Sequence, residues 1–123
     1  MRKLLEILRK FIGEIKMTDE YLENLLNVIK SKKMDDPKVS YTALLHYEGL
    51  DKILKKIGEE STEIIIAAKS PKNEELVHEM ADLWFHCLVL LSEKDLSVSD
   101  IINELKTREG ISGIDEKNLR KSN

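Results

Sequence analysis

Glu60, Glu63, Glu79 and Asp82 form two acidic pairs of identical i,i+3 spacing. Residues three apart on a helix share a face, with about 5–6 Å between them, so each pair can present two oxygen ligands to one point. If the two segments form a helical hairpin, both pairs converge there. Four uncompensated carboxylates at that spacing repel on the scale of the ~5–15 kcal/mol by which a domain is stable. The cluster must be solvated, partly protonated or neutralised by a cation, and hard oxygen donors suit Mg²⁺, with Mn²⁺ as the alternative, rather than zinc. In a chain that is 35% charged, an isolated ExxE is ordinarily a solvent face. Here Ile64, Ile65, Ile66, Ala67 and Ala68 follow the first pair, and Leu83, Trp84 and Phe85 follow the second. Acids set beside a core need partners.

The elements that must position these acids read as helices. Leu4, Leu5, Leu8, Phe11, Ile12 and Ile15 recur at helical spacing opposite basic residues, which predicts an amphipathic N-terminal extension over residues 1–16. Its stripe is better suited to packing on protein than to a membrane surface, because Glu6 and Glu14 dilute the basic face. Thr18 is a candidate N-cap for a helix running to about Lys33, and Asp35-Asp36-Pro37 breaks it. Ser40 opens a short helix that stops near Gly49. Leu50, Ile53, Leu54 and Ile57 begin a long helix carrying the first acidic pair, which Ser70-Pro71 ends. Pro71 is placed to start the next helix, from about Glu74 to Lys94, which carries the second pair. Ser97 to Asp100 resembles a capping box for a last helix closed by Gly110, and 111–123 is expected to be a mobile polar tail. The main domain is thus 17–110, an all-α helical bundle. From Leu83 to Leu91 the helix is apolar nearly all round, which predicts a buried homodimer interface.

Composition narrows the function classes. With 123 residues there is room for one core. Aromatics are 5%, and glycine and proline are few, which disfavours a turn-rich β-sandwich. No apolar run approaches the ~20 residues needed to span a bilayer. The single cysteine, Cys87, has no partner in the chain and reads as a small buried hydrophobe in a reduced, cytoplasmic setting. Residues 1–16 carry a net +3 while the whole chain carries −3, so the main body is acidic and offers no electrostatic reason to bind nucleic acid.

The string SYTALLHYEGLDKILKKIGEESTEIIIAAK, then ELVHEMADLWFHCLVLL, then ELKTR, resembles the phosphoribosyl-ATP pyrophosphohydrolases of histidine biosynthesis over about residues 21–109. More distant relatives, the MazG-like nucleoside triphosphate pyrophosphohydrolases, share only the ExxE and ExxD pairs. The resemblance implies Mg²⁺-dependent hydrolysis of phosphoribosyl-ATP to phosphoribosyl-AMP and pyrophosphate by a dimer of helical subunits. It gives Glu60, Glu63, Glu79 and Asp82 the role of metal ligands. Glu59, about 100° around the helix from Glu60, becomes a weaker candidate as a water-orienting base. Lys56 reads either as a phosphate contact or as an i,i+4 ion pair with Glu60. His86 matches the family histidine and has either a substrate or ligand-supporting role or that of a satisfied core histidine. Ser40, Thr42 and Arg108 are further candidate substrate contacts, with Ser40 equally an N-cap. His46 and His78 match no family position and are expected at the surface. At Lys32, where the family commonly carries arginine, lysine keeps the charge but loses the bidentate fork. The chain resembles the stand-alone form, without the cyclohydrolase that is often fused to this domain. Two alternatives stand beside this reading: a house-cleaning nucleoside triphosphate pyrophosphatase, and a non-catalytic helical dimer.

Overall fold

A computed structural model describes residues 1–109 and 113–122, apart from the side chains of 11–19, 114–116 and 122. Among the described residues the fold is all-α and has no strand: α1 (Arg2–Ser31), α2 (Tyr41–Glu48), α3 (Leu50–Ala68), α4 (Asn73–Glu93), α5 (Val98–Thr107) and α6 (Gly113–Ser122). The expected boundary at Thr18 is not an element boundary, because α1 runs unbroken through it. A threonine N-cap is worth about 1 kcal/mol, and between Glu14 and Lys33 there is no glycine or proline to stop propagation. The segment expected as a mobile tail is helical from Gly113 to Ser122. The side chains of Phe11, Ile12, Ile15 and Thr18, and Gly110 as a whole, lie outside the described residues.

Helices α3 and α4 form the central hairpin and share the most extensive contact in the fold. Its register can be read from Pro71 in the turn. Ile53 and Val89 lie equally far before and after that proline, and both are fully buried. Ile57 and Phe85, again equidistant, pack against the same cluster. The C-terminal half of α1 lays Leu22, Leu25, Leu26 and Ile29 onto this hairpin at i,i+3,i+4,i+7 spacing, Leu45 closes it from α2, and Val98 from α5. The N-terminal half of α1 keeps Leu4, Leu5, Ile7 and Leu8 exposed.

Caps follow the sequence closely. Ser40 Oγ accepts from Ala43 N at 3.2 Å to start α2. Ser97 and Asp100 complete a reciprocal capping box on α5, with Ser97 N donating to Asp100 Oδ2 at 2.8 Å and Asp100 N to Ser97 Oγ at 3.1 Å. Gly49 is both the end of α2 and the start of α3, at φ 92° and ψ −175°. That region is open essentially to glycine alone, and it lets two helices meet with one residue between them. Pro71 falls just before Lys72, the N-cap of α4, rather than at its first helical position.

The all-round apolar stretch of α4 divides. Leu88 and Val89 are buried within the protomer, whereas Trp84 is 55% exposed. Val77, Met80 and Trp84 form an outward stripe on the face opposite the acids, and Trp84 borders an apolar groove of about 340 Å³ shared with Leu22, Leu91, Ile101 and Leu105.

Candidate active site

The hairpin that buries Ile53 against Val89 also sets the acids level with one another. Glu60 and Asp82 are each eleven residues from Pro71, and Glu63 and Glu79 are each eight. Two helical turns of identical spacing, running antiparallel, therefore lie level pair by pair, and the charges acting between them place them on facing sides. The Glu60 carboxyl is pushed above its ordinary range, first by burial and then by the charges of Asp82 and Glu63, while the charge and hydrogen bond of His86 act in the opposite direction. The Glu79 carboxyl is pushed up first by a hydrogen bond shared with Glu63, then by desolvation and by the charges of Glu63 and Asp82, with His78 opposing.

Glu79 Oε2 is buried and has no hydrogen-bond donor. A strained acid pair with an orphaned buried oxygen, on a face lined by two more carboxylates, fits a hard divalent cation, which satisfies oxygen donors without a proton. His78, Glu79 and Asp82 each place one potential ligand atom within 4.8 Å of the others. Exposed acidic groups often stand together without an ion, so it is the orphaned Glu79 oxygen that makes this cluster specific.

His86, from α4, is the most tightly engaged polar side chain of the site. Nδ1 lies 2.8 Å from Glu60 Oε2 and 2.9 Å from the Asp82 carbonyl oxygen, and Nε2 lies 3.0 Å from the Tyr41 hydroxyl. Both His86 and Glu60 are buried, at 5% and 7% exposure. The Tyr41 ring stacks on Phe85 at 6.3 Å and meets His86 edge-on at 5.9 Å. Burial raises the Tyr41 phenol, the Lys56 ammonium opposes this, and Glu60, Asp82 and Glu48 add to it. Tyr41 thus stands at the edge of the acid cluster, near Lys56.

The other expected residues are placed as follows. Lys56 pairs with Glu59 at 3.7 Å, not with Glu60. Glu59 is 45% exposed at its side chain and points away from the buried acid beside it. Ser40 caps α2, and Thr42 is buried at 7% exposure. Arg108 is at the end of α5, where its Nε and Nη2 both donate to Glu104 Oε1 at 3.1 and 3.0 Å. Lys32 caps the C-terminus of α1.

Sequence reasoning passed over three residues. His46, expected at the surface, is buried: Nδ1 contacts Glu93 Oε2 at 2.7 Å and Nε2 contacts Ser92 Oγ at 3.2 Å, tying α2 to α4. His78 is exposed as expected, yet its Nε2 is 3.4 Å from Asp82 Oδ2. The signal was its i,i−4 position to Asp82, which puts it on the acidic face. Tyr41 sits between the two hydroxyl residues singled out, and its adjacency to the α2 N-cap, which aims its side chain at α4, was the clue.

An all-α hairpin that sets four carboxylates in register at the edge of a buried histidine defines the class of site. The model of the phosphoribosyl-ATP pyrophosphohydrolase family matches residues 22–109, which include every residue of that site. The chain is 54% identical over 108 residues to the phosphoribosyl-ATP pyrophosphatase of Burkholderia multivorans, covering 85% of this chain and 89% of that relative. It is 50% identical over 103 residues to the protein of the same name from Nitrosospira multiformis, covering 84% and 85%. The chain belongs to the phosphoribosyl-ATP pyrophosphohydrolase family.

Proposed function

We infer that this protein hydrolyses phosphoribosyl-ATP to phosphoribosyl-AMP and pyrophosphate, the second step of histidine biosynthesis, in the cytoplasm and with Mg²⁺. The observation that carries the metal-dependent reading is the pair-by-pair register of Glu60 with Asp82 and Glu63 with Glu79, together with the orphaned oxygen of Glu79. These four residues would hold the ion, and His78 adds a nitrogen at the exposed end of the cluster. What Mg²⁺ or Mn²⁺ supplies when bound is neutralisation of the triphosphate and of the charge developing on the leaving pyrophosphate, and a water made more acidic.

The remaining work belongs to the chain. The α–β anhydride bond breaks and water adds across it, its oxygen on one phosphorus and its protons released, to leave phosphoribosyl-AMP and pyrophosphate. Without a P-loop, the cations available to the phosphates are side chains such as Lys56, whose ammonium is held beside the cluster by Glu59. Burial of Glu60 and His86 on the inner side excludes water from that flank.

The active form is a homodimer in this reading. Val77, Met80 and Trp84 on α4, and Ile101 and Leu105 on α5, leave an apolar face on one side of the protomer that a second copy would cover.

Incubation with phosphoribosyl-ATP and with a panel of ordinary and damaged nucleoside triphosphates, with and without Mg²⁺, tests the assignment. Pyrophosphate release fastest on phosphoribosyl-ATP and abolished by chelation is the expected result. Faster turnover of a simple triphosphate would replace this reading with a house-cleaning one, and no release on any substrate would favour a non-catalytic dimer.

A further inference from the structure

The geometry points to His86 as a positioning residue that staples the two acidic pairs together, holding Glu60 in the orientation in which it can serve a cation. This rests on the carboxylate cluster being a metal site, and it concerns what makes that site rigid.

Nδ1 of His86 faces two oxygens, the Asp82 carbonyl at 2.9 Å and Glu60 Oε2 at 2.8 Å. A backbone carbonyl can only accept, so Nδ1 carries the hydrogen and donates to both. Nε2 is engaged by the Tyr41 hydroxyl, 3.0 Å away, accepting from it in the neutral ring and donating to it in the charged one. Both ring nitrogens are therefore engaged by protein, and neither is available as a ligand. His86 cannot join the cluster; it can only orient what does.

What it orients follows from where its partners sit. Asp82 and His86 are one turn apart on α4, so the Asp82 carbonyl fixes the ring relative to the helix that carries the second acidic pair. The same N–H then reaches across the hairpin to Glu60, on the helix that carries the first. Glu60 Oε2 is taken by this bond, which leaves Oε1 for a cation. Because Glu60 and His86 are both buried, at 7% and 5% exposure, no water competes for the bond and the carboxylate has one orientation rather than several. Groups that hold metal ligands in this way typically contribute ~10–100-fold in metal affinity.

Two polar substitutions separate this from a packing role. In His86→Asn the amide occupies the place of Nδ1 and can still donate to Glu60. In His86→Gln the amide reaches the place of Nε2, meets Tyr41 and loses Glu60. Mn²⁺ and Mg²⁺ affinities of the metal-depleted full-length proteins, measured by calorimetry alongside thermal unfolding, are the readouts. The expectation is that His86→Asn binds nearly as the wild type does and that His86→Gln loses ~10–100-fold, whichever of the two is the more stable. Equal losses in both, losses that track unfolding temperature, or no loss in His86→Gln would each overturn the positioning role while leaving the metal site standing. A wild-type protein that binds neither ion would overturn the metal reading and this inference with it.

Discussion

Asp82→Asn separates chemistry from folding, and the structure gives the size of each effect. The partner of the Asp82 carboxylate is the imidazole of His78 at 3.4 Å, with the two side chains 44% and 73% exposed. Exposed pairs of this kind contribute about 0–1 kcal/mol. The bond that ties Asp82 to the interior runs through its backbone carbonyl to His86 Nδ1, and asparagine keeps it. Removing the charge also relieves both Glu60 and Glu79, each of which it pushes upward. The stability change is thus expected to stay within about 1 kcal/mol, or roughly 5 °C in Tm. Activity behaves differently. Altering even an outer partner of a metal ligand costs ~10–100-fold, so loss of a carboxylate that holds the ion directly is expected to lower kcat/KM at least ~100-fold, equivalent to ~2.7 kcal/mol of transition-state stabilisation. Thermal unfolding of the metal-free proteins, followed by pyrophosphate release from phosphoribosyl-ATP at saturating Mg²⁺, measures both. A folded variant with activity within about threefold of wild type, a difference of under ~1 kcal/mol, would remove Asp82 from the site. A variant that fails to fold would refute the division between surface carboxylate and buried carbonyl.

Three further outcomes follow from the same structure. The metal-free protein should become more stable as pH falls towards the ordinary carboxylate range: Glu60 and Glu79 are raised, so between their unfolded and folded pKa values the native state binds more protons. Saturating Mg²⁺ should reverse that slope, since it needs both groups ionised; urea titrations from neutral pH to about pH 5, with and without the ion, would expose an error of sign. Gly49→Ala should cost about 1–3 kcal/mol through backbone strain alone, because an added Cβ would meet nothing within 4 Å, and an unchanged Tm would show that the α2–α3 junction relaxes. Trp84→Glu should give a folded monomer by sedimentation, whereas Leu88→Asp should unfold the protomer because Leu88 is already buried at 6% exposure; a dimeric Trp84→Glu protein would move the interface elsewhere.

The elements were legible because each is punctuated. Ser40, Gly49, Ser70-Pro71 and Ser97 to Asp100 mark helix ends by local chemistry that operates regardless of tertiary context, and the structure uses each of them. Thr18 misled for the same reason in reverse: a cap-forming residue is a weak signal, and unbroken helix on both sides of it outweighs one side-chain hydrogen bond. His46 was not legible, since its partners are 46 and 47 residues away and depend on how α2 leans on α4, and Tyr41 was legible only by its place beside the α2 N-cap, not by its partner 45 residues away. That angle follows from Gly49 and from side-chain packing, neither of which leaves a periodic trace. The contrast within Leu83 to Leu91 between buried Leu88 and Val89 and exposed Trp84 was hidden likewise, because periodicity shows that a face is apolar and not which neighbour covers it.

The acid cluster itself was legible for a reason more specific than its composition. In an antiparallel helical hairpin, residues at equal distances from the turn lie level. Two i,i+3 motifs placed symmetrically about that turn then lie level, and they meet where both also fall on the facing sides, as the acids do and as the equally symmetric but exposed Thr62-Ile65 and Val77-Met80 do not. Here the apolar positions obey the same symmetry, Ile53 with Val89 and Ile57 with Phe85, so the hydrophobic register and the acidic register cannot be satisfied separately. Burying Ile53 against Val89 is favourable by about 25 cal/mol per Å² of apolar surface, and that burial is what forces Glu63 against Glu79. Slipping the hairpin by one turn would relieve the acids only by mispairing the core below them. The core thus holds the carboxylates together against their own repulsion, which protonation or a divalent cation would relieve.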